Sequence, residues 1–148
     1  MEEFDPVIVA YCCHYCAYTA ADMAGSMRLG YPPGIKIIRV PCTGKVDPLH
    51  VMRALMDGAD GVLIAGCLKG DCHFKNGNIK ALKRTAYLKQ WMDEIGIESE
   101  RVEMVMMSAG MGKQFVRIVT DFLDNIRLLG PCPKNTNQQS NRILSELV

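Results

Sequence analysis

The residues with the clearest chemical potential are seven cysteines in a chain of 148 residues. Six of them fall in three groups in the first half of the sequence: Cys12, Cys13 and Cys16, then Cys42, then Cys67 and Cys72. Thiolates are soft ligands that suit zinc and iron–sulfur clusters. The two-residue gap in Cys13-His14-Tyr15-Cys16 lets two thiolates of one turn face the same metal. This composition indicates metal or redox chemistry.

Four β-α units are predicted to position these cysteines. Short apolar runs predict strands over residues 6–11, 35–41, 61–66 and 102–108, and helical patterns follow them over 19–29, 47–57, 78–95 and 112–129. Continuously apolar strands imply a parallel sheet that is covered on both faces. Because crossovers are right-handed, we expect a small flavodoxin-like α/β three-layer sandwich with a parallel four-stranded sheet.

Helix boundaries and buried faces follow from local signals. Thr19 with Asp22 has capping-box spacing, Asp47-Pro48 is typical of a helix start, and Asn78 is a candidate cap for the long third helix. The inner stripe of that helix is predicted to be Leu88, Trp91, Met92 and Ile95. Residues 1–130 are expected to form the domain and residues 131–148 a C-terminal tail. The tail ends in apolar pairs, so we expect it to contact a partner.

All six grouped cysteines follow the predicted first, second or third strand. The carboxyl ends of parallel strands meet at one edge of a sheet, and neighbouring strands lie about 4.8 Å apart. Cysteines that leave these strands can therefore converge in one ligand shell, although whole β-α units separate them in sequence. Cys132 lies in the tail and stands apart from this arrangement.

Other interpretations of the cysteines stay open at this point. Single buried cysteines are common core residues, and four thiolates also suit a structural zinc ion. Cys13 and Cys16 have the placement of a thioredoxin-type dithiol, which leaves the later cysteines unexplained. His14 and His73 allow a two-Cys, two-His centre, but they are more simply loop residues, and His50 is expected on a helix surface.

Charge and composition exclude several function classes. Lys and Arg total 17 against 16 Asp and Glu, so the chain lacks the basic excess of a general nucleic-acid binder. No apolar run approaches the roughly 18 residues of a membrane span. The acidic start at residues 1–5 is unlike a signal peptide, so we expect a cytoplasmic protein. No phosphate-binding loop or catalytic acid–base set stands out.

The basic stripe of Lys80, Lys83 and Arg84 is typical of a solvated helix face and could also steer an acidic partner.

Four strings carry a resemblance to a known family: Cys13-His14-Tyr15-Cys16, Arg39-Val40-Pro41-Cys42-Thr43-Gly44, Asp60-Gly61-Val62-Leu63 and Gly66-Cys67-Leu68-Lys69-Gly70-Asp71-Cys72-His73. From about residue 6 to residue 130 the chain resembles the delta subunit of methyl-viologen-reducing hydrogenase from methanogenic archaea. Such subunits hold a [2Fe–2S] cluster. They connect a hydrogenase, or a formate dehydrogenase, to the flavin-containing subunit of heterodisulfide reductase.

The resemblance implies an electron-transfer subunit without a substrate site of its own. Its candidate cluster ligands are Cys13, Cys16, Cys42, Cys67 and Cys72. Because such a cluster needs four ligands, one of the five would be spare. Cys12 is an addition to the family pattern. The alternatives are a thiol-disulfide oxidoreductase that uses Cys13 and Cys16, and a zinc-stabilised adaptor.

Overall fold

The computed structural model describes residues 4–68, 70, 72 and 75–133. In these residues four strands alternate with four α-helices. They run in the order β1 Ile8–Cys13, α1 Ala17–Ser26, β2 Ile35–Val40, α2 Pro48–Met56, β3 Gly61–Cys67, α3 Gly77–Glu94, β4 Val102–Met107 and α4 Gly112–Leu129. All strand pairs are parallel, and the sheet order is β2-β1-β3-β4. The predicted three-layer α/β architecture with one parallel four-stranded sheet is confirmed.

Each face of the sheet has its own core. Helices α1 and α4 pack together on one face, over side chains that include Ala10, Leu63 and Phe115. On the other face, Leu55 of α2 and Leu88 of α3 pack with side chains of β3 and β4. Strand β3 is buried along its whole length because helices cover both of its faces. Its last residue, Cys67, is therefore held rigidly.

Two of the predicted helix starts are wrong. Helix α1 begins at Ala17, two residues before the Thr19 capping pattern, and the hydroxyl of Thr19 instead donates to the carbonyl of His14. Helix α3 begins at Gly77, so Asn78 lies inside the first turn. By contrast, Asp47 caps α2 as predicted, and its side chain accepts a hydrogen bond from the amide of Leu49.

The predicted inner stripe of α3 is half right. Leu88 and Met92 are buried, whereas Trp91 and Ile95 are 57% and 52% exposed. The buried face of α3 runs through Ala81, Thr85, Leu88 and Met92. Large side chains on either side of that face consequently stay in solvent.

Polar side chains at the amino-terminal edge of the sheet fix the chain beyond α4. The carboxylate of Asp60 accepts from the amides of Val7 and Cys132. The buried guanidinium of Arg101 donates to the carbonyls of Asp60 and Pro131 and to the carboxylate of Glu98. The first residues of the expected tail are thus tied to the sheet. Residues 134–148 lie outside the described part of the chain, so partner contact by the tail stays a prediction.

Among the described residues, no helix is both long and apolar enough to cross a membrane.

Candidate metal centre

Five cysteines gather at the carboxyl edge of the sheet, and we call them the thiol site. Cys13 and Cys67 are the last residues of β1 and β3, and Cys16 is the residue before α1. Cys42 follows β2, and Cys72 precedes α3. The convergence follows from the parallel sheet, because β1 lies between β2 and β3 and all three end at the same edge.

Three of these thiols form one compact group. The Sγ atoms of Cys13, Cys16 and Cys67 all lie within 4.8 Å of one another, and all three residues are buried. The Sγ of Cys13 is 3.6 Å from that of Cys67. The thiol of Cys16 donates to the Sγ of Cys67 at 2.9 Å.

The other two thiols form a pair. The Sγ atoms of Cys42 and Cys72 are 3.6 Å apart. The amide of Gly44 donates to the Sγ of Cys42 at 3.4 Å. The pair is close enough to the group of three for charge on Cys13 to raise the pKa of Cys42, although burial is the larger cause of that rise. The structure therefore brings all five predicted residues together, in a three-plus-two arrangement.

Two glycines let the chain pass closely beside Cys42. A Cβ added at Gly77 would overlap the Sγ of Cys42 and lie 3.4 Å from that of Cys72. A Cβ at Gly44 would lie 2.9 Å from the Cα of Gly77. The start of α3 consequently rests against the thiol pair in a space that only glycine fits.

The thiols influence one another's protonation. The pKa of Cys13 is lowered to about 5, chiefly through its hydrogen-bonding interaction with Cys16, and further by hydrogen bonds from backbone amides and Cys67. The interaction with Cys13, together with burial, raises the pKa of Cys16, and burial raises that of Cys67 to about 11. The site thus favours one thiolate stabilised by neighbouring thiols. A bound metal ion would favour loss of the remaining thiol protons as well.

The other two cysteines lie outside the thiol site. Cys12 points into the core beneath α1 and α4, where burial raises its pKa to about 12. Cys132 is buried in the core on the opposite face of the sheet. Among the histidines, His14 and His50 are exposed, and the Nδ1 of His50 accepts from the amide of Asp47. His73 lies outside the described residues.

Three further residues lie around the site, and no role there was predicted for any of them from the sequence. The side-chain amide of Asn78 donates to the carbonyls of Cys67 and Leu68, which ties α3 to the end of β3. Gly77 provides the close approach described above. Thr43 is buried, and its Oγ1 has no hydrogen-bond partner in the described part of the chain. The Gly77-Asn78 pair in the sequence is the only local signal for the first two.

The donor set fits a thiolate-ligated iron–sulfur centre. It offers five sulfur atoms, a close approach of the chain to Cys42 that requires glycine at position 77, and a backbone amide directed at one sulfur. Iron–sulfur clusters are held by cysteine thiolates and take hydrogen bonds from such amides. Cys13 and Cys67 are the last residues of paired strands, so the sheet fixes the backbone that bears these two sulfurs.

Comparison with known proteins agrees with this chemistry. The family model described as methyl-viologen-reducing hydrogenase, delta subunit, matches residues 8–130. An iron–sulfur subunit of the F420-non-reducing hydrogenase of Archaeoglobus profundus is 50% identical over 130 residues, which cover 88% of this chain and 95% of that protein. The vhc iron–sulfur subunit of the same kind of hydrogenase in Methanococcus voltae is 45% identical over 136 residues, which cover 92% and 94%.

Similarity also extends to part of a much larger protein. Over 126 residues the chain is 40% identical to one subunit of the ferredoxin:CoB-CoM heterodisulfide reductase of Methanosarcina mazei. That match covers 85% of this chain but only 16% of the larger protein. The relatives are redox proteins, and those of this chain's own length are named iron–sulfur subunits. With a family model that spans its whole sheet and four helices, the chain belongs to the family of the methyl-viologen-reducing hydrogenase delta subunit.

Proposed function

We propose that the chain is an electron-transfer subunit that holds a [2Fe–2S] cluster at its thiol site and relays electrons to a heterodisulfide reductase. The observation that carries this proposal is the convergence of five thiols at one sheet edge in a chain of this family. When bound, the cluster accepts and releases single electrons. The chain's own residues hold the iron, limit the access of water and set the local charge.

The sulfur spacing supports a particular set of ligands. Tetrahedral coordination with metal–sulfur bonds of about 2.3 Å separates two ligand sulfurs by about 3.8 Å. The 3.6 Å separations of Cys13 from Cys67 and of Cys42 from Cys72 are close to this value. We therefore assign Cys13 and Cys67 to one iron, and Cys42 and Cys72 to the other.

Cys16 is the spare thiol in this assignment. Its thiol is placed to donate to the Sγ of Cys67 at 2.9 Å, a separation shorter than that of two sulfurs on one metal ion. Cys16 would then donate its S–H to a ligand sulfur. Such a donor favours the more negatively charged, reduced form of the cluster.

The fused relatives support heterodisulfide reductase as the partner. In the Methanosarcina mazei protein, a region similar to this chain makes up about a sixth of a heterodisulfide reductase subunit. The corresponding protein of Methanosarcina acetivorans shows the same relation, at 39% identity over 17% of its length. Fusion of this region to a reductase subunit suggests that the separate chain meets the flavin-containing subunit of the reductase. Its donor would be a hydrogenase or formate dehydrogenase, and the site of action the cytoplasm.

The first experiment measures iron, acid-labile sulfide and zinc per chain in anaerobically purified protein, together with its visible spectrum. We expect about two irons and two sulfides and a brown colour that bleaches on reduction. An iron-free chain after attempted reconstitution would contradict the proposal. Zinc in its place would favour the zinc-stabilised adaptor, and a metal-free dithiol would favour the thiol-disulfide oxidoreductase.

The ligand assignment is tested with single Cys-to-Ala variants. Cys42→Ala and Cys72→Ala are each expected to lose the cluster, whereas Cys16→Ala keeps about two irons. Cys12→Ala is the matched control, because Cys12 is also a buried cysteine but faces the core. Full iron content in Cys42→Ala, or loss of iron in Cys16→Ala, would show that the assignment is wrong.

A further inference from the structure

The surface beside Cys42 carries a concentration of positive charge. A depression of about 230 Å³ is lined by Cys42, Gly77 and three cations, Lys45, Lys80 and Arg84. The guanidinium of Arg84 donates to the carbonyl of Gly44 at 2.6 Å. This bond holds one of the cations in place beside the loop that bears Cys42, so less conformational entropy is lost when a partner binds it.

A second depression adjoins the first and extends the positive surface. It has a volume of about 340 Å³ and is lined by His14, Tyr15, Arg39, Val40 and Pro41. Pro41 borders both depressions. Tyr15 is 42% exposed, so an aromatic side chain stands at this surface. We call the four cations of the two depressions, Arg39, Lys45, Lys80 and Arg84, the basic rim.

Within the described residues, carboxylates do not offset the basic rim. None of the side chains that line either depression there is acidic. Asp47, which lies close to Lys45 in sequence, caps α2. Several acidic residues lie instead towards the amino-terminal edge of the sheet, before β1, β3 and β4: Asp5, Asp57, Asp60, Glu98 and Glu100. Asp5, Asp57 and Glu98 form ion pairs there with Arg127, Arg53 and Arg101. By contrast, none of the four cations of the basic rim is in an ion pair among the described residues.

We propose that the basic rim is the docking surface for an acidic surface of a protein redox partner. This inference rests on the proposed function, because it names the kind of partner surface that meets the thiol site. The occupant follows from charge complementarity: four cations around two adjoining shallow depressions attract an acidic protein surface and orient it over Cys42. The positive end of the α3 dipole, at Gly77, adds to the same potential.

The test measures how ionic strength affects binding. The heterodisulfide reductase flavoprotein subunit of the same organism is immobilised, and binding of this chain is followed between low and high salt. We expect the affinity to fall steeply as salt rises, since screening weakens attraction between exposed charges. In the double variant Lys45→Glu/Lys80→Glu the affinity at low salt should fall by roughly tenfold or more, with a flatter salt dependence.

The control is the double variant Lys36→Glu/Arg53→Glu, because both residues lie away from the thiol site, near the start of β2 and on the exposed face of α2. It makes the same change in net charge and should bind like the wild type. Salt-independent binding, no binding, or equal losses in both variants would overturn the inference. The inference would also be overturned if pyrophosphate inhibited binding of the partner more strongly than sulfate does at equal ionic strength. A small phosphate ligand would then occupy the basic rim.

Binding is measured without electron transfer, so its outcome is separate from that of the proposed function. Iron and sulfide are determined for each variant. A chain that holds its cluster but binds without salt dependence contradicts the docking surface alone. A chain without iron contradicts the relay, whatever its binding.

Discussion

Among the five thiols of the site, Cys16 is distinguished by its short contact with Cys67. At 2.9 Å its thiol acts as a hydrogen-bond donor. Removing that donor in Cys16→Ala should keep the iron content and shift the reduction potential of the cluster to a more negative value. The physical reason is that the reduced cluster loses a hydrogen bond to one of its sulfurs.

Cys16→Ser separates the hydrogen bond from the packing effect. Serine retains a donor of similar size, so the potential should return part of the way towards that of the wild type. Anaerobic redox titration followed by visible absorption measures both variants. An unchanged potential in Cys16→Ala would contradict the role of the donor.

The cysteines of the site were predictable from sequence, whereas the residues that support them were not. All five thiols lie at or after the ends of β1, β2 and β3, so topology alone brings them to one edge. Asn78 illustrates the limit of that reasoning, because its type suggested a helix cap. The close approach of α3 to β3 lets its amide bond two carbonyls at the end of the strand instead. Such contacts depend on how α3 packs against the end of β3, which a local sequence pattern does not predict.

At the scale of elements, the start of α3 is shaped by the thiol pair. Alanine normally stabilises a helix relative to glycine. In Gly77→Ala, however, the new methyl group overlaps the Sγ of Cys42. We therefore expect lower iron and sulfide per chain, with circular dichroism like that of the wild type.

Gly25→Ala is the matched control for that substitution. Gly25 lies in α1, and a Cβ there meets no atom within 4 Å among the described residues. This variant should load iron fully and gain up to about 1 kcal/mol of stability. Equal iron contents in the two variants would contradict the close packing at Gly77.

The order of the elements was predicted better than their exact starts. Apolar runs, interrupted by charged residues in β2 and β4, identified all four strands, and the α4 bounds, 112–129, were predicted correctly. The start of α1 was misplaced because Thr19 has capping spacing, although Cys16 occupies the position before the helix without a side-chain cap. Packing of α1 against α4, through buried alanines, overrides the local signal.

At the scale of the whole molecule, Arg101 joins the amino-terminal edge of the sheet to the chain after α4. Its side chain is fully buried and bonds two carbonyls and one carboxylate. In Arg101→Met the hydrophobic stem is kept but these acceptors lose their donor. We expect unfolding to become easier by about 2–4 kcal/mol, measured by urea denaturation, because buried polar groups are left unpaired.

Iron loading should be affected little by that substitution. Arg101 lies at the opposite edge of the sheet from the thiol site, and the four strands between them are packed on both faces. Loss of iron at temperatures where Arg101→Met remains folded would show that the two edges are coupled. Unchanged stability would show that the buried hydrogen bonds of Arg101 make no net contribution to the free energy of unfolding.

The ion pair of Arg101 with Glu98 also makes the stability of the molecule depend on pH. The Arg101 guanidinium donates to the Glu98 carboxylate at 2.7 Å and lowers the pKa of that carboxyl. A carboxyl whose pKa is lower in the folded state contributes stability above its unfolded pKa, and that contribution is lost as pH falls through the folded value. Glu98→Gln should therefore be less stable than the wild type at neutral pH, with the difference shrinking below about pH 4.5. Urea unfolding across this range measures the change.

Asp121→Asn serves as the control, because the ion pair of Asp121 with Arg117 is exposed on both sides and contributes little. Parallel pH profiles for Glu98→Gln and the wild type would mean that the carboxyl is equally acidic in the folded and unfolded chains.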